Sequence, residues 1–193
     1  MGPARAHGHA TNDRAVADRQ ARAAALSYPG PCRSDRARQA IRRRAPAAPE
    51  VGNLAISGLR TEAANALLAD NFAPWVLASG LKVEKILAEG GFLRLPFAAE
   101  LCRRGGILCG QALSSGADSA MVLALAAANG AFKPCTTIDL SMGDMRPISQ
   151  AGALLAARLM RLGKTLTFCS CAVSAAGTDK PAAFATGTYA LLE

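Results

Sequence analysis

Beyond residue 50 the sequence contains no histidine: the chain has 193 residues, and its two imidazoles, His7 and His9, both lie near the start. That absence removes the Ser-His-Asp triad, the Cys-His dyad, His-containing dehydratase sites and most zinc catalytic sites from the rest of the chain. No metal site and no cofactor is expected. No glycine pattern matches a dinucleotide fingerprint or a Walker loop, because Gly105-Gly106 and Gly110 lack the spacing and flanks such loops need. Long apolar runs are missing as well. The longest, Ala120 to Ala128, has nine residues, whereas crossing a bilayer takes roughly 20. No secretory signal opens the chain, so the six cysteines read as reduced thiols in the cytoplasm, with Cys169 and Cys171 alternating along a strand rather than pairing.

Lysine is absent from residues 1–50, which hold ten arginines against four acids, a surplus of +6. The remaining 143 residues carry only +2 of the net +8. A nucleic-acid-binding domain should wear its charge on the folded part, so no nucleic-acid partner is expected. The first 50 residues are rich in Ala, Arg, Pro and Gly and poor in large apolar anchors, which predicts a disordered tail or a start assigned too far upstream. Residues 51–193 suit one domain: 51% of the chain is apolar and 5% aromatic, enough for an aliphatic core.

Within that domain, Thr61 is placed to cap a helix in which Ala63, Leu67, Leu68 and Phe72 recur at helical spacing, with Pro74 ending it. LKVEKILAEGGFLRLPF alternates on both sides of Gly90-Gly91, a hairpin signature with Leu81, Val83, Lys85 and Leu87 on one face. CGQALSSGADSAMVLALAAANG is apolar nearly all round and closed by Asn129-Gly130, so it predicts a long helix buried on most sides. TTIDLSMGDMRP, ALLAARLMRL, TLTFCSCAVS and AAFATGTYALL then read as strands, the last three as a meander joined by short turns. The order is α+β, with the long helix as the element that an antiparallel sheet wraps.

Two residues of that helix carry chemical interest. Asp118 lies two turns in, among Ala117, Ala120 and Met121; a carboxylate in an apolar setting costs several kcal/mol unless satisfied. It is either functional, or an acid on a solvated stripe or capping a neighbour. Gly110 opens the helix, where unpartnered N–H groups and the dipole can polarise a carbonyl; it is otherwise an ordinary glycine entering a helix.

The runs GGILCGQALSSGADSAMVLAL, TTIDLSMGDMRP, RLGKTLTFCSCAVSAAG and AFATGTYALL together resemble the PaaI-like acyl-CoA thioesterases of the hotdog fold. The resemblance spans about residues 70–193 and rests on several motifs in order. It implies hydrolysis of an acyl-CoA or acyl-carrier-protein thioester. Asp118 would be nucleophile or general base, the Gly110 N–H would polarise the carbonyl, and Thr137 would hold the attacking water. Three positions depart from the family pattern: Cys109 stands where the family has His, Gln111 where it has a second Gly, and Arg103 where many members have Asn. Cys109, Gln111, Arg103 and Arg104 are the implied substrate-binding positions, and Arg146, Arg158, Arg161 and Lys164 are further candidates for CoA phosphates.

Gly110 and Asp118 are eight residues apart, so ~12 Å separates them along the helix axis. If both act at one site, Asp118 meets Gly110 of another subunit. A homodimer is then the minimal unit, and the family adds an expected homotetramer. Two rivals remain: Cys109 as a nucleophile activated by the helix N-terminus, and a non-catalytic module of the same fold that binds acyl-CoA or scaffolds partners.

Overall fold

The computed structural model describes residues 59–192; the predicted tail, residues 1–50, and its boundary at Val51 lie outside the described residues. The chain enters through α1 (Thr61–Asn71) and the short α2 (Pro74–Ala78). Thr61 is the first helical residue rather than the cap: Arg60 occupies the N-cap in an extended conformation and offers no side-chain bond. Ala64 and Leu68 are the buried positions of α1, and Leu67 and Phe72 pack against the core as expected, whereas Ala63 is exposed and Ala64 takes its place. The Asn65 amide fixes this helix against the sheet, donating from Nδ2 to Val83 O at 3.1 Å and accepting from Val83 N–H at 3.0 Å.

β1 (Lys82–Leu87) and β2 (Gly90–Leu95) form the predicted hairpin, but its turn is Ala88-Glu89. Gly90 and Gly91 belong to β2. A Cβ on Gly90 would lie 2.4 Å from Ala157 O, so glycine serves close approach of a neighbouring strand here rather than the turn. A bulge between Val83 and Lys85 reverses the alternation of β1, which exposes Lys85 and turns Ile86 inward.

A single 3-10 turn (Ala99–Leu101) leads into the small hairpin β3 (Cys102–Arg103) and β4 (Ile107–Leu108), then α3 (Gly110–Asn129), β5 (Cys135–Asp144), β6 (Ala153–Leu162), β7 (Leu166–Ala175) and β8 (Pro181–Leu191). β1, β2, β6, β7, β8 and β5, in that spatial order, make one antiparallel six-stranded sheet with β5 on its edge. The β6–β7–β8 meander matches expectation.

Eleven of the twenty residues of α3 are buried, and the helix touches all six strands. Its alanines let the sheet come close. A Cβ on Gly116 would already stand 3.2 Å from Leu155 Cδ2. Gly130, at φ 71°, takes the left-handed C-cap that Asn129-Gly130 predicted. The inward rows Ala153, Leu155, Ala157 on β6, Thr167, Cys169, Cys171, Val173 on β7 and Ala183, Ala185, Tyr189 on β8 complete the core. Burial pushes the thiols of Cys169 and Cys171 up to about 12, and all five described cysteines are free. No helix among the described residues is long and apolar enough to cross a membrane.

One core atom is unsatisfied: Thr167 Oγ1 is buried without a hydrogen-bond partner among the described residues. Thr167→Val keeps the shape and removes the stranded hydroxyl, so it should stabilise the domain by about 1 kcal/mol. Thermal unfolding reads this as a higher Tm; a lower one would show that the hydroxyl is partnered.

Candidate active site

The helix N-terminus is built by what precedes it. The turn between β3 and β4 contains Gly105 and Gly106 at φ 90° and 66°, conformations that favour glycine. This tight hairpin delivers the chain to Cys109, whose N–H donates to Leu101 O at 2.9 Å. The connection after β5 holds the hairpin from its other side, through Leu108 N–H to Ile148 O and Gln150 N–H to Gly106 O, both at 3.0 Å.

Cys109 is the N-cap of α3 and makes no side-chain cap bond. The first intrahelical bond runs from Leu113 N–H to Cys109 O, so the N–H groups of Gly110, Gln111 and Ala112 have no acceptor within the helix. The dipole adds positive potential at the same point. Asp144, a residue the sequence reading did not single out, brings its carboxylate there: Oδ2 is 3.1 Å from where a Cβ on Gly110 would stand.

Two turns further along, Asp118 is half-buried at the rim of the core, neither on a fully solvated stripe nor enclosed. Its Oδ1 accepts hydrogen bonds from Tyr189 Oη at 2.9 Å and Thr137 Oγ1 at 3.3 Å. These two hydroxyls come from directly paired positions of β8 and β5. Midway, Ser114 Oγ lies 3.1 Å from Met142 Sδ. Residues 110, 114 and 118 of α3 therefore face Asp144, Met142 and Thr137 of β5 in turn, a strip with the uncapped N–H groups at one end and the carboxylate at the other.

The predicted site residues thus fall into two groups. Asp118 and Thr137 meet directly; Gly110, Cys109 and Gln111 gather at the helix start. Arg103 and Arg104 are exposed on the hairpin leading into it. Arg146 is exposed, and its guanidinium donates to Pro181 O. Among the described residues no cluster of three or more His, Cys, Asp or Glu is placed to hold a metal ion.

Tyr189 is the functional candidate that sequence reasoning missed. It is fully buried, and burial, together with the charge and hydrogen bond of Asp118, pushes its phenol upward from its ordinary pKa. Cys135, on β5, is likewise raised by burial and then by Asp118. The readable signal was G-T-Y: Gly187 precedes Tyr189 by two residues on the same strand face, where a bulky aromatic needs room.

This architecture, a long helix held against an antiparallel sheet with a short helix at its start, is the hotdog fold. Solved structures with that likeness include a conserved protein of Pseudomonas aeruginosa, 27% identical over 63% of this chain and 95% of that one, with a TM-score of 0.57. A thioesterase of Haemophilus influenzae is 16% identical over 73% of this chain and 96% of its own, with a TM-score of 0.64. A mutant thioesterase of Pseudomonas aeruginosa is 19% identical over 72% and 99%, with a TM-score of 0.61. No protein-family model matches the chain, and no curated protein sequence does. The chain has the fold of the hotdog thioesterases, as its sequence motifs lead one to expect.

Proposed function

We propose that the protein is a PaaI-like acyl-CoA thioesterase whose site is shared between two copies of the chain. The observation that carries this reading is the strip between α3 and β5, with unpartnered N–H groups at Gly110, an ionisable carboxylate at Asp118, and ~12 Å between them along the helix. A thioester carbon cannot touch both ends of one strip. A twofold axis that swaps the ends brings Gly110 of one copy to Asp118 of the other.

In this arrangement Asp118 takes a proton from a water molecule, and the water oxygen bonds to the thioester carbon. The carbonyl π electrons move to oxygen, where the Gly110 N–H stabilises the developing charge. When the carbonyl re-forms, the C–S bond breaks and the thiolate leaves with the proton, giving a carboxylic acid and free CoA. Direct attack by Asp118 Oδ2, followed by hydrolysis of the anhydride, uses the same residues. Neither route needs histidine, which fits a domain without one. Arg103 and Arg104, beside the helix start, are the proposed contacts for CoA phosphates, and Cys109 and Gln111 line the same end.

The test is release of free thiol from a panel of acyl-CoAs by the wild type and Asp118→Asn. Binding without turnover in the wild type would overturn the reading and leave a binding module of the same fold.

The shared site has its own test. β5 is an edge strand exposed along most of its length, with Ile138 57% and Leu140 36% exposed. Unpaired edges invite pairing with another chain. An axis that exchanges the Thr137 and Asp144 ends passes near Leu140. Leu140→Arg would set like charges against each other across it, which destabilises the pairing. Sedimentation should show a shift to monomer, accompanied by loss of turnover; a monomer with full activity would sink the shared site. Pairing of such dimers into a tetramer is the proposed larger assembly, supported by exposed Leu166 and Phe168 on the face of β7 turned away from the helix.

A further inference from the structure

We infer that Tyr189 is a positioning residue for Asp118: with Thr137 it occupies Oδ1 and leaves Oδ2 as the oxygen free to meet water or thioester. A buried phenol needs a hydrogen-bond partner. Tyr189 Oη has two acceptors in range, Asp118 Oδ1 at 2.9 Å and the Asp118 main-chain O at 3.4 Å. It has one hydrogen to give, and the nearer, charged acceptor holds it more strongly.

The chain makes a place for this contact. A Cβ on Gly187 would stand 2.8 Å from Tyr189 Oη and 2.9 and 3.0 Å from two ring carbons, so the ring leans over the glycine to reach the helix. Thr137 and Thr167 flank Tyr189 on the neighbouring strands, in register with it. The row closes around the ring, and its fully buried position leaves it little freedom to move. The carboxylate is thereby fixed from a rigid strand rather than from solvent.

Titration of the phenol does not enter. Besides Asp118, Cys135 from β5 and Cys169 from β7 are the titratable groups near it, and burial and these neighbours all raise its pKa. Tyr189 therefore stays a donor throughout the working range. A fixed donor on Oδ1 sets the plane in which Oδ2 is presented.

The kinetic arm of the test rests on the thioesterase reading; a second arm does not. In the full-length protein, Tyr189→Phe retains the ring and removes one bond to a charged acceptor. We expect kcat to fall about tenfold or more at unchanged KM. Unchanged kcat would overturn the inference, since a tyrosine that only fills the core has no reason to alter kcat at constant KM. Independently, the Tyr189 hydroxyl proton should appear far downfield in the proton NMR spectrum of the wild type and move upfield in Asp118→Asn. An unshifted signal overturns the contact. If the wild type releases no thiol, the functional reading fails and this arm alone decides the positioning role.

Discussion

Asp118→Asn should lower turnover of acyl-CoA by about 10²- to 10⁴-fold, the usual contribution of a positioned general base, while leaving the protein folded. Asparagine has nearly the same shape, and its amide oxygen still accepts from Tyr189 Oη and Thr137 Oγ1, the two bonds that tie Asp118 to β8 and β5. The Oδ2 side changes from a proton acceptor or nucleophile to an amide nitrogen that is neither. The loss should appear in kcat more than in KM, because the proton transfer or attack happens only in the transition state. Free-thiol release at saturating substrate measures it, with the unfolding midpoint as control. Equal rates in the two proteins would remove Asp118 from the mechanism.

The second large effect comes from a group with no side chain. Gly110→Pro deletes one backbone N–H and should cost about 10²- to 10³-fold in kcat, the range for losing a single oxyanion donor. The helix tolerates the change, since proline is favoured at a first helical position. The preceding residue is also suited: Cys109 has φ −76° and ψ 150°, the extended conformation a following proline requires. Gly110→Ala is the companion variant. Gly110 is not among the glycines with positive φ, and its added methyl would meet only the end of the exposed Asp144 side chain. With the N–H retained, turnover should stay near the wild-type value. A fully active proline variant would show that the carbonyl is polarised elsewhere.

These two expectations depend on features of unequal legibility. α3 was readable because it is apolar nearly all round, and a helix with no polar face has to be buried by its own fold. Its C-cap was readable because glycine after Asn129 takes a conformation most residues avoid. The first hairpin was found but its turn misplaced, since Gly90-Gly91 serves strand approach and turn formation equally well as a pattern. The bulge beside Val83 left no mark, because bulges follow from how two strands fit and not from one strand's composition. Arg60 holds the N-cap of α1 although Thr61 looked better suited; local preference yields to where the chain must enter the core.

At the site, Asp118 stood out because a charge is costly in an apolar helix, and Gly110 because helix starts leave N–H groups unpaired. Tyr189 did not, because a buried aromatic on an alternating strand looks the same whether or not its hydroxyl has work to do. Its partner is 71 residues away in sequence. Asp144 was equally silent, 34 positions from the glycine it approaches. Composition, periodicity and motif order therefore determined the α+β class, the buried helix, the strand meander and the two candidate residues, since each is set by local chemistry or its spacing. Which face of Asp118 is occupied, what flanks Gly110, and that both open on the exposed edge strand β5 were decided by tertiary structure alone, because hydrogen bonds and charge contacts act through space and the sheet order that creates them is not written in any one segment.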